Sequence, residues 1–210
     1  MKKLLCLPIL LIGVSLLQAG ETGAPLPLTN GSVDGWSGVT VLNGAGSIPA
    51  GESVSTVTYY AEASRASGEH HVQPLILKNV DGVAEIWGIG PVSNATDAGE
   101  NSVSWGSDAI PDDGNDYFAG FWQYRDGFDD DAGGTVTFGG DGGSGMFQAN
   151  RVGTDYTPAV GEVIESGHAS GAGGRNYQIN FLSVPEPTSL GLIGLAILPM
   201  IAMLRRRMKR

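Results

Sequence analysis

Tyr117-Phe118-Ala119-Gly120-Phe121-Trp122-Gln123-Tyr124 is the stretch on which the fold turns. A strand sends alternate side chains to opposite faces. This run therefore puts Phe118, Trp122 and Tyr124 on one face and Tyr117 with Phe121 on the other. One of those faces must be core.

On either side of it, short apolar or alternating runs recur at Val39 to Leu42, Val54 to Tyr60, Val72 to Leu77, Val83 to Ile89, Ser102 to Trp105, Thr135 to Phe138, Met146 to Ala149, Glu162 to Glu165 and Tyr177 to Leu182. Glycine and proline punctuate nearly every gap, and only Ala61 to Ser67 leans toward helix. No unit repeats at solenoid or propeller spacing. The expectation is an all-β fold: a single β-sandwich of jelly-roll type, with a signal peptide before it and one transmembrane helix after it.

The two ends differ from this middle. Residues 1–20 run as Lys2-Lys3, an apolar stretch from Leu4 to Leu17, then Gln18-Ala19-Gly20, the order a secretory signal peptidase reads, with cleavage expected after Ala19. Cys6, the only cysteine, falls inside that leader, so the exported chain is expected to carry no disulfide. Residues 21–183 form the acidic, glycine-rich domain, and residues 184–210 form the tail. In the tail, Val184-Pro185-Glu186-Pro187 precedes an apolar run at 189–204 and the basic end 205–210, with Arg205, Arg206 and Arg207 as a cytoplasmic stop. A helix over 189–204 would be about 24 Å long, a little under the hydrocarbon core of a bilayer. The arginines keep the end of the tail in the cytoplasm by the positive-inside rule, which places the middle on the far side of the membrane. Pro185 and Pro187 favour extended backbone, so the tripeptide is expected to stand off the domain as a strand-like handle.

The tripeptide, hydrophobic helix and arginine-rich end, in that order, resemble the PEP-CTERM protein-sorting tail of Gram-negative and related bacteria. The resemblance covers the tail alone. It implies an exosortase as processing partner, cutting near Pro185 to Pro187, and a destination at the cell surface or in the extracellular matrix, often where exopolysaccharide is made.

Charge narrows the partners of the middle domain. Between Glu21 and Val184 there are five basic residues and 21 acidic ones, a net of −16. Such a field repels phosphate backbones, which excludes nucleic acid, and it attracts cations. Asp108, Asp112, Asp113 and Asp116 form one acidic group, and Asp126, Asp129, Asp130 and Asp131 a second. Their hard oxygen ligands suit calcium, with Asp112, Asp113, Asp116 and Asp129 to Asp131 as candidate ligands, but their spacing matches no calcium loop and solvated acidic turns are the alternative.

Trp122, Tyr124 and Trp87 are candidate platforms for sugar rings, with burial in the core as the competing use of the same side chains. Glu85, Asp112 and Asp116 are the acids a glycosidase would draw on, yet no pair stands at a recognisable spacing. Nucleophile elbows and phosphate-cradling loops are absent from the sequence. The expected function is a non-catalytic, exported surface or matrix protein associated with polysaccharide, the alternative being a secreted glycosidase or lyase.

Overall fold

A computed structural model describes residues 19–33, 35, 37–127, 134–139, 147–149, 156–164 and 175–186. The leader before Ala19, Trp36, Asp129 to Asp131, His168, Pro187, the apolar run 189–204 and Arg205 to Arg207 lie outside these residues. The described chain is all-β, with fourteen strands and two short 3-10 turns. None of its helices is long and apolar enough to cross a membrane.

The strands are β1 (Gly20–Gly23), β2 (Ser32–Val33), β3 (Gly38–Val41), β4 (Glu52–Ala61), β5 (His70–Val80), β6 (Val83–Ile89), β7 (Ser93–Asn94), β8 (Gly99–Ser104), β9 (Tyr117–Arg125), β10 (Thr137–Gly139), β11 (Phe147–Ala149), β12 (Val163–Ile164), β13 (Asn176–Tyr177) and β14 (Ile179–Pro185). Three sheets result. A seven-stranded sheet runs β11-β3-β9-β5-β6-β12, with β7 also on β5. A four-stranded sheet runs β1-β14-β4-β8, and a three-stranded one β13-β10-β2. The helical leaning at Ala61 to Ser67 resolves into the end of β4 and a 3-10 turn at Ala63–Arg65, which Glu62 caps by accepting from the Ser64 amide at 2.8 Å.

The pair β5/β9 forms the spine of the large sheet, in unbroken antiparallel register from His70↔Arg125 to Lys78↔Tyr117. Alternation along β9 sorts its side chains as expected. Tyr117, Ala119 and Phe121 enter a core shared with Val57 and Tyr59 of β4 and Ile179 and Phe181 of β14, so the large and the four-stranded sheets bury apolar surface together. The other face is covered as well. Trp122 sits there with Leu75, Leu77 and Ile86, flanked by Phe118, Tyr124 and Tyr156. At Gly120 the strands approach so closely that a methyl group would strike the Leu77 side chain and come within 2.7 Å of the Thr40 carbonyl oxygen.

Buried polar groups are tied to backbone where the chain needs anchoring. Gln123, fully buried on β9, accepts from the amides of Thr135 and Val136 through Oε1 at 2.8 and 3.1 Å, fastening the segment that leads into β10. β5 and β6 are joined by Asp81-Gly82, both at positive φ (52° and 85°), a two-residue turn whose twist suits a hairpin.

Candidate functional site

Two places on the described chain bring sequence candidates together. The first is the end of the large sheet where β5, β6 and β9 lie side by side. Lys78 faces Tyr117 on one neighbour and Glu85 on the other, and residues opposite one another in a sheet share a face. The register between β5 and β6 slips between Ile76 and Leu77, leaving Trp87 without an opposite residue. Alternation along β6 puts Trp87 on the face of Glu85 and Tyr117, where its ring meets Tyr117 edge-on at 5.2 Å and stays partly exposed.

Asp113 completes this cluster from the loop before β9. Its Oδ2 takes the Lys78 ammonium at 3.0 Å and the Tyr117 hydroxyl at 3.0 Å, while Oδ1 accepts from the Asn115 amide at 3.1 Å. Lys78 holds the Asp113 carboxyl well below the usual carboxylate range, assisted by Asn115 and Tyr117. Hydrogen bonding to Asp113 raises Lys78 in turn, and burial raises the Tyr117 phenol. The Lys78 and Asp113 side chains are 24% and 34% exposed, so the group is wet on one side. It offers a partly open indole edge beside a fixed charge pair.

The other aromatic candidates lie on the opposite face of the same sheet. Trp122 is 4% exposed, stacked on Tyr124 at 4.1 Å and met edge-on by Tyr156 at 5.5 Å. Tyr124 is half-buried and stacks in turn on His71 at 4.6 Å. His71 stands between Asn94 Oδ1 (2.8 Å from Nδ1) and Asp126 Oδ2 (3.0 Å from Nε2). The four rings form one continuous ladder.

The acidic candidates do not converge on one point. Asp112 and Asp116 are exposed, and Asp113 is engaged as described. Among the described residues no three His, Cys, Asp or Glu side chains come together as a metal set. Glu85 lies across from Val163 of β12 on its other side.

The second place is the exit of the last strand. Val184 pairs with Ser53 and Pro185 with Glu52, continuing β14 along β4. The Glu186 amide donates to the Gly51 carbonyl at 3.2 Å, and its carboxylate accepts from the Ser53 hydroxyl at 3.3 Å. Val184 to Glu186 are therefore extended, as the prolines require, but they lie on the sheet rather than standing off it. β1 ends its pairing with β14 at Gly20↔Ser183, so beyond Ser183 the strand keeps β4 as its one sheet neighbour among the described residues. Among the described residues nothing pairs with the backbone side that faces away from β4 there.

Sequence reasoning missed Lys78 and Tyr117 as members of the first cluster and Glu52 and Ser53 at the second. Each is brought in by strand register, across separations that carry no local pattern. No protein-family model, curated protein or solved structure matches the chain.

Proposed function

We propose that the chain is an exported bacterial surface or matrix protein, held transiently at the membrane by a PEP-CTERM tail and released or transferred by an exosortase after signal peptidase has removed residues 1–19. The observation that carries this reading is the ordered tail, Val184-Pro185-Glu186-Pro187, apolar 189–204, then Arg205 to Arg207. Its first three residues extend along β4 with one backbone edge unpaired among the described residues, a form that a processing enzyme can pair with as it would a β-strand. The domain it delivers is a β-sandwich of jelly-roll type, in keeping with two sheets that share one core. Replacing Pro185, Glu186 and Pro187 together by alanine, followed by fractionation of the native host, tests the tail: the variant remains in the membrane fraction and the wild type leaves it. Equal distribution overturns the proposal.

The domain itself associates with exopolysaccharide without turning it over. Supporting this are the partly exposed Trp87 ring, able to stack on a sugar, and the Lys78/Asp113 pair with Glu85 beside it, able to hydrogen-bond hydroxyls. The second reading, a glycosidase or lyase, draws on the same cluster, because Lys78 lies between Glu85 and Asp113. Retention of the wild type but not Trp87→Ala on the host's own polymer supports binding. Release of reducing sugar, abolished by Glu85→Gln, establishes the enzyme instead.

A further inference from the structure

β1 begins at Gly20, opposite Ser183 of β14. A methyl group at Gly20 would come within 2.7 Å of both Glu52 Oε2 and Ser183 Oγ, so ordinary bond lengths put the Gly20 nitrogen within about 5 Å of that carboxylate oxygen. The Ser183 hydroxyl bonds Glu52 Oε2 and lies 3.4 Å from the Gly20 carbonyl oxygen. Glu52 is only partly exposed. No cationic side chain among the described residues is paired with Glu52.

We propose that Glu52 is a binding site for an α-ammonium group, namely the one the chain itself acquires at Gly20 on maturation. This rests on leader cleavage after Ala19. Hydrolysis of the Ala19–Gly20 peptide bond consumes one water and leaves a carboxylate on Ala19 and an ammonium on Gly20. Before the cut, the Gly20 nitrogen near Glu52 is a neutral amide; after it, the nitrogen is a cation with three donors close to a half-buried carboxylate. The contact exists only in the processed chain. It closes a four-residue edge strand onto β14 and β4 at the point where both ends of the domain meet, since Glu186 is bonded to Gly51, the neighbour of Glu52. A side chain at position 20 would push aside Glu52 Oε2 and Ser183 Oγ, the two groups gathered beside the Gly20 nitrogen.

The experiment uses the mature protein purified from its host, with its intact mass recorded first. Between residues 20 and 186 the only lysine is Lys78, so reductive methylation with 13C-formaldehyde, which preserves charge, labels the α-amine and Lys78, and a retained tail adds Lys209. In the wild type the α-amine holds its proton about two- to fivefold more tightly than in Glu52→Gln, the span expected for a partly exposed ion pair, while Lys78 titrates alike in both. The amide of the variant keeps an acceptor for Ser183. Should the variant fail to fold, the wild-type amine is compared with the same chain in urea, and the same tightening is expected in the native state. Identical titration overturns the proposal while a Gly20 start leaves the leader reading intact; a different first residue overturns both.

Discussion

The Tyr117 hydroxyl and the Lys78 ammonium both reach the same oxygen of Asp113, each at 3.0 Å. With its carboxyl held below the usual range, Asp113 contributes stability at every pH above the unfolded value of about 3.9 and loses that contribution as pH falls toward its folded value. The melting temperature of Asp113→Asn therefore lies below that of the wild type by a constant amount above about pH 5, and the gap closes below about pH 4. Thermal melts between pH 2.5 and 7 check this. A gap independent of pH means that the carboxylate charge has no part in the pairing.

Gln123→Leu keeps the volume at the centre of β9 but removes the acceptor of two buried amides, those of Thr135 and Val136. Each stranded donor costs about 1–3 kcal/mol, so a loss of about 2–6 kcal/mol is expected in denaturant unfolding. Hydrogen exchange at Thr135 and Val136 should accelerate more than exchange in β5.

How far these features could be read from the sequence depends on whether their cause is local. β6 spans Val83–Ile89, as its alternation indicates, and β9 differs from its expected range by one residue at the end. Alternation is a property of the strand itself. By contrast β1 is Gly-Glu-Thr-Gly, with Thr22 its one buried residue, and it is a strand only because β14 lies beside it. The bulge at Trp87 is likewise invisible in Gly82 to Ile89, because it arises from the register with β5. Lys78 and Asp113 are too far apart in sequence for either to announce the other. One face of β9 is core, as alternation requires, and the other is packed too, since His71, Tyr124 and Trp122 stack into a second layer.

That second layer separates two kinds of aromatic. Phe121 is fully buried between sheets and meets Tyr177 edge-on at 5.3 Å, so Phe121→Ala costs about 3–5 kcal/mol. Tyr124 is half-buried in the outer ladder, and Tyr124→Ala costs less, about 0.5–1.5 kcal/mol beyond the area it uncovers. Urea titrations rank the two. Equal losses would mean that the outer ladder is as much a part of the core as the space between the sheets.

Trp87, in contrast, is expected to matter less for stability than Trp122 and much for retention on polymer. Its ring is partly exposed and packs on the core beside Tyr117, whereas an indole face is what a sugar ring needs. Affinity electrophoresis in the host's exopolysaccharide compares Trp87→Ala with Trp122→Ala: the first abolishes retardation with the smaller fall in melting temperature, and the second lowers the melting temperature further.

The central claim, export followed by sorting through the tail, is tested most directly by the intact mass and cell fraction of the protein from its own host. A chain beginning at Gly20 and ending at or after Glu186 without the apolar run 189–204, recovered from the surface or extracellular fraction, is the predicted result. A chain that keeps Arg205 to Arg207 and remains in the inner membrane contradicts it.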